Sequence, residues 1–257
     1  KAKMLPSKNS DTFSIYVDLK DGSSTYQTKE VTQCIVKNLQ KEQNIINIST
    51  FIKEGQPLDF AALVKQSALK DKESQAEIIV NIKKQKERTI TSYNLVSQLR
   101  NKVQTNCSLY EANIKFIELP AGPPVLASIV TEIYGGNNFE SRKDFALKIA
   151  TILKNQTTLV DIDVLADKDF IMYELELDNN KAIISLVDLE QLKNTLFLAF
   201  EGMNIAVVND KNAQSQIPIF LRLNDSRILK NSSKEELKIK LQNLKIVNNQ
   251  GTMINIS

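Results

Sequence analysis

Thr12-Phe13-Ser14-Ile15-Tyr16-Val17-Asp18-Leu19 alternates with a period of two and carries β-favouring side chains, the pattern of a strand with one covered face. Lys20-Asp21-Gly22-Ser23 then supplies turn chemistry, and Ser23, Ser24 or Thr25 suits the N-cap of a helix. That helix is predicted to run to about Lys41, with Val31, Cys34, Ile35 and Leu39 on one face. A second strand follows at Ile45 to Ile52, then a loop with Gly and Pro, then a short helix or irregular crossing from Phe60 to Leu69. Strand character returns at Ala76 to Ile82. Helical spacing follows at Leu95, Val96, Leu99 and Val103, and a strand at Asn113 to Glu118. This order is strand–helix–strand–strand–helix–strand, the ferredoxin-like βαββαβ arrangement, in which two amphipathic helices cover one face of a four-stranded antiparallel sheet. The fold class is therefore α+β.

Beyond Glu118 the texture changes. Leu119-Pro120-Ala121-Gly122-Pro123-Pro124 cannot sit inside a regular element and marks a boundary. A strand at Val125 to Tyr134, a helix at Ser141 to Lys154 with Phe145, Ile149, Ile152 and Leu153 inward, and a strand at Leu159 to Leu165 read as half of a second unit. From Phe170 onward a mixed α/β region is expected. It has a strand at Tyr173 to Leu177, a helix capped by Asp188, strands at Ile205 to Val208 and Ile217 to Leu223, and a helix capped by Ser232 or Ser233. A hairpin turning at Asn249-Gln250-Gly251 closes it. The expected divisions are 4–118, 119–168 and 169–257.

Composition narrows the function. There is no histidine, so Ser–His, Cys–His and His-ligated zinc chemistry are excluded. Charges nearly balance at +3, and no basic run is interleaved with aromatics as nucleic-acid surfaces require. Lys83, Lys84, Lys86 and Arg88 read as a solvated loop. Cys34 and Cys107 read as small buried apolar side chains, a disulfide requiring an oxidising compartment and suitable geometry. No stretch is long and apolar enough to cross a membrane as a helix. The opening Lys1-Ala2-Lys3-Met4-Leu5-Pro6 lacks both an initiator Met at the first position and a signal-peptide apolar region, and reads as the start of a fragment.

Four anchors resemble one known family in order. They are Met4-Leu5-Pro6-Ser7-Lys8-Asn9 with Asp21-Gly22-Ser23-Ser24; Glu118 to Leu126 with Glu132-Ile133-Tyr134-Gly135; Val160-Asp161-Ile162-Asp163-Val164; and Pro218 to Leu223 with Gly251-Thr252-Met253-Ile254. The chain resembles the second large periplasmic loop of resistance–nodulation–division efflux permeases of the acriflavine-resistance type.

The resemblance implies a first C-terminal porter subdomain, half of a second, and a docking subdomain. It implies a proton-driven homotrimer working with a periplasmic adaptor and an outer-membrane channel, exporting hydrophobic or amphiphilic small molecules and anchored by membrane helices outside this sequence. It calls for no cofactor, no metal and no catalysis. The stretch Phe51 to Phe60 matches the family's switch loop, which makes Phe51, Leu58 and Phe60 candidates for the substrate path. Phe116, Ile117, Glu118 and Leu119 match the strand end at the substrate entrance, with Ile117 and Leu119 expected on one face and Phe116 and Glu118 on the other. Asn209, Asp210, Lys211 and Asn212 form the tip of the expected projecting hairpin. Met4, Met172, Met203 and Met253 are scattered rather than convergent, which argues against metal export. The rival readings are a free periplasmic binding or adaptor module, a secretion accessory domain and a ferredoxin-like acyl-phosphate hydrolase. The last needs an Arg and backbone phosphate cradle that no glycine-rich motif here supplies.

Overall fold

The structure is a computed structural model describing residues 8–57, 60–65, 67–118, 121–123, 125–136, 138–166, 169–213, 216–223 and 233–256. Phe60 and Ala61 are placed by their backbone only. The chain divides into two compact units, one up to Ile171 and one from Met172.

In the first unit, β1 (Thr12–Asp18), α1 (Thr25–Leu39), β2 (Ile45–Ile52), α2 (Phe60–Val64), β3 (Gln75–Ile82), α3 (Ser92–Asn106) and β4 (Asn113–Glu118) follow in order. The sheet order is β2-β3-β1-β4, and every neighbouring pair is antiparallel. This is the expected ferredoxin-like topology. Alternation decides the faces. Phe13, Ile15 and Val17 of β1, Ala76, Ile78, Val80 and Ile82 of β3, and Ile114 and Phe116 of β4 meet Val31, Ile35 and Leu39 of α1 and Leu95, Val96, Leu99 and Val103 of α3. Each large aliphatic side chain so enclosed contributes about 1.5–3 kcal/mol by leaving water.

Helix α1 starts where it does because Ser24 forms a capping box with Gln27, satisfying donors that the first turn leaves free. At the start of α3, the Asn9 side chain accepts from the Ser92 N–H at 2.8 Å.

Two expectations about side chains are corrected. Cys34, on α1, and Cys107, at the C-cap of α3, form a disulfide with Cα atoms 5.8 Å apart. The helices pack side by side, so both thiols reach one point. Arg88 is not part of a solvated run: its side chain is enclosed and donates to Asp11 Oδ1 at 2.9 Å and to the Ser10 carbonyl at 3.0 Å. Lys84 and Lys86 are exposed as expected.

After Glu118 the expected helix forms as α4 (Phe139–Lys154), capped by Asn138. Neither Val125 to Tyr134 nor Leu159 to Leu165 is a strand. Neither segment has a partner strand in a backbone ladder among the described residues, and a strand needs one. With no sheet beneath it among the described residues, the expected inner face of α4 is largely uncovered: Phe145 is 54% and Ile152 62% exposed, Ile149 and Leu153 are half-buried, and Ala150 alone in the helix is buried.

The second unit contains α5 (Asn179–Ile184), α6 (Leu189–Phe200), β5 (Met203–Val208), β6 (Ile217–Leu221), α7 (Lys234–Asn243), β7 (Lys245–Val247) and β8 (Met253–Asn255). Tyr173 to Leu177, expected as a strand, has no regular structure; α5 follows it, capped by Asp178. Asp188 caps α6 and Ser233 caps α7 as expected. Lys240 of α7 donates to the Ala199 carbonyl and lies 4.4 Å from the centre of the Phe200 ring, a cation at the negative end of α6. β5 pairs with β6 and β7 with β8, each pair antiparallel.

Candidate functional site

The helices cover one face of the first unit's sheet. The opposite face presents the other half of each strand, ordered in rows by the register. Asn47, Asn81 and Thr12 form one row; Ser49, Ile79, Ser14 and Ile117 the next; Phe51, Glu77, Tyr16 and Lys115 the third; Gln75, Asp18 and Asn113 the fourth. The first row is polar and tied together: Thr12 Oγ1 donates to Asn81 Oδ1 at 2.7 Å, and Asn81 Nδ2 to Asn47 Oδ1 at 2.7 Å. The second places two isoleucines among small hydroxyls, half-buried except for exposed Ser49. Such a surface takes apolar groups while leaving hydrogen bonds nearby.

The third row is partly roofed by the segment between β2 and β3. Glu77 is fully buried. Its Oε2 accepts from the Gln56 N–H at 2.9 Å, while Oε1 makes no hydrogen bond among the described residues. A buried carboxylate oxygen left unpaired costs about 1–3 kcal/mol, so this side chain holds the loop at some expense. Gly55 lies against the Ser67–Leu69 turn so closely that a Cβ on it would fall 1.9 Å from the Ser67 carbonyl oxygen. Burial pushes the Tyr16 phenol up to about 12, and Lys70 Nζ lies 4.6 Å from the centre of its ring.

A charged chain bounds the face. Lys70 Nζ meets Asp18 Oδ1 at 2.9 Å; Asp18 Oδ2 meets Lys115 Nζ at 2.8 Å; Lys115 Nζ meets Asp163 Oδ2 at 2.5 Å. Burial alone raises the Asp18 carboxyl, but the ammonium groups of Lys70 and Lys115 outweigh it and hold it below the usual carboxylate range. Lys115 is likewise desolvated, yet Asp18 and Asp163 together raise it. At Lys70 burial, aided by repulsion from Lys115, wins over the carboxylates of Asp18 and Glu77, and its ammonium is easier to deprotonate than a free lysine's.

The Asp161–Asp163 segment docks on β4, which among the described residues has no neighbouring strand on its outer side. Asp161 accepts from Arg100 Nε at 3.1 Å, Gln104 Nε2 at 3.0 Å and the Phe116 N–H at 3.0 Å. Asp163 also accepts from Asn113 Nδ2 at 2.9 Å. A carboxylate thus occupies a donor that an added strand would use. Asp161 itself has φ of 54°.

Of the residues singled out in the sequence, Phe51 and Ile117 lie on the open face. Phe116 faces the helices, is 4% exposed and stacks on Phe13. Glu118 is half-buried at the strand end, paired across the sheet with Phe13. Leu58 and Leu119 fall outside the described residues, as does the Phe60 side chain. Ile79, Ser14 and Ser49 were missed, although the alternation of β1 and β3 contains them. In the second unit, Asn209, Asp210, Lys211 and Asn212 form the exposed tip between β5 and β6, where Asp210 Oδ1 accepts from the Asn212 N–H at 2.9 Å.

A family model described as the AcrB/AcrD/AcrF family matches residues 2–257. The chain belongs to that family. AcrB/AcrD/AcrF proteins are efflux transporters of the resistance–nodulation–division type, inner-membrane permeases as a family. Among the described residues of this AcrB/AcrD/AcrF chain, no helix is long and apolar enough to cross a membrane. No curated protein matches the sequence. Two crystal forms of a heavy metal efflux pump share the fold. One matches with a TM-score of 0.65 at 13% identity, over 99% of this chain and 25% of that one. The other matches with a TM-score of 0.64 at 12% identity, over 98% and 24%. The chain therefore spans about a quarter of the length of these pumps.

Proposed function

We propose that this chain is a periplasmic part of a proton-driven tripartite efflux permease, and that the sheet face opposite the helices lines its substrate path. The observation that carries this reading is the second row of that face, where Ile79 and Ile117 lie among Ser14 and Ser49, next to the third row with Phe51 and its partial roof. Such a floor suits hydrophobic or amphiphilic organic molecules, held by shape and weak polar contacts. Residues 4–118 act as one porter subdomain, 119–168 as part of a second, and 169–257 as a docking subdomain. The tip at Asn209–Asn212 meets a neighbouring subunit, the adaptor or the outer-membrane channel, in a trimer. The disulfide supports an extracytoplasmic setting, since such bonds persist in oxidising compartments. Organic rather than metallic cargo is favoured because both cysteine sulfurs are bonded to each other, and Met172 and Met253 stand exposed and apart in the chain.

The test compares Phe51→Ala with Phe116→Ala in the intact protein. Phe51→Ala is expected to weaken apparent affinity for an exported hydrophobic dye roughly five-fold or more, the factor for loss of one to two kcal/mol, with near-normal folding. Phe116→Ala should instead cost about 3–5 kcal/mol of stability, as a core truncation does. Unchanged dye affinity in folded Phe51→Ala would remove the substrate-path assignment.

A further inference from the structure

We propose that the chain Lys70–Asp18–Lys115–Asp163 couples the docking of the Asp161–Asp163 segment to the anchoring of the loop over the sheet face. The four side chains come from four places: Lys70 from the end of the turn on which Gly55 rests, Asp18 from β1, Lys115 from β4, and Asp163 from the segment laid along β4. Each inner member is shared. Asp18 has one oxygen on each lysine, and the single Lys115 ammonium serves two carboxylates. Lys70 is 7% exposed and Lys115 15%, so solvent screens the chain far less than it screens surface pairs.

The sign of the coupling follows from the alternation. Lys115 repels Lys70 and competes with it for Asp18. When Asp163 is docked, part of the Lys115 charge is neutralised, and Asp18 is free to hold Lys70. When the segment lifts, Lys115 turns wholly to Asp18. Lys70, already burdened by burial, is then held less firmly. The turn it anchors carries the Ser67 carbonyl, which meets Gly55, and Gln56 hangs from Glu77 one residue later. Release of the segment on β4 is thereby felt as loosening of the loop across the sheet. The coupling needs no assumption about what is exported.

Two backbone amides report the two ends. The Gln56 N–H is bonded to Glu77, and the Phe116 N–H to Asp161. Their hydrogen exchange is to be measured in the intact protein, each relative to the Ile35 amide of α1, which corrects for any change in global stability. Asp163→Asn should speed exchange at both, with Gln56 accelerated about three-fold although it makes no contact with residue 163, a factor typical of couplings within one charged network. Lys115→Met should speed Phe116 but slow Gln56, because the competitor for Asp18 is gone; Lys115→Arg should restore both. Opposite responses of Gln56 to Asp163→Asn and Lys115→Met support the coupling. A Gln56 amide that responds to neither, or in the same direction to both, overturns it. Dye export measured on the same variants is a separate readout, so failure of the coupling and failure of the substrate-path reading remain distinguishable.

Discussion

A methyl group on Gly55 would sit 1.9 Å from the Ser67 carbonyl oxygen, a backbone atom with no flexible end to swing away. Gly55→Ala must therefore lift the loop from the turn or distort both. The expected cost is about 1–3 kcal/mol, the usual scale for overpacking, read as a lower midpoint in denaturant unfolding with accelerated exchange at Gln56. An unchanged midpoint would mean the loop is not seated as described. In the sequence, Gly55 and Pro57 identify a loop of defined shape, but nothing near them names Ser67 as the surface they press on. Glu77 was equally illegible as a loop anchor. It reads as the polar member of an alternating strand, and its burial comes from the segment folded over it. Ile79 was legible in principle, since the alternation that sends Ile78 inward sends Ile79 to the open face.

At the scale of elements, β1 through β4 and their two covering helices follow from local pattern, because each amphipathic stripe has a matching face within the same short stretch of chain. What pattern does not contain is side-to-side contact between helices far apart in sequence. Cys34 was placed on the buried face of the first helix and Cys107 read only as a small buried side chain, yet their meeting depends on α1 packing against α3. Their separation is 73 residues, and closing a loop of that size removes roughly 4 kcal/mol of unfolded-state entropy in the chain-entropy account. Cys34→Ser with Cys107→Ser should lower unfolding stability by an amount of that order, and a reducing agent should do the same to the unmutated protein. Equal stability with and without reductant would show that the pair is not bonded. The segments Val125 to Tyr134 and Leu159 to Leu165 show the converse. Their apolar alternation is real, but alternation specifies only a face, and among the described residues no partner strand is present.

For the molecule as a whole, membership of the AcrB/AcrD/AcrF family and the shared fold account for the architecture, while the proposed substrate path rests on which sheet face would meet cargo. Sequence resemblance selected Phe51 and Ile117. Register adds Ile79, Ser14 and Ser49 to the same surface and turns Phe116 away from it. The measurement that tests this most directly places a photoreactive side chain at Ile117 on the open face, or at exposed Tyr93 on α3 behind the sheet. A hydrophobic dye is then cross-linked in the intact protein during export. The account predicts labelling at Ile117, diminished by excess unlabelled dye, and background labelling at Tyr93. Labelling confined to Tyr93, or equal and uncompeted at both positions, would contradict it.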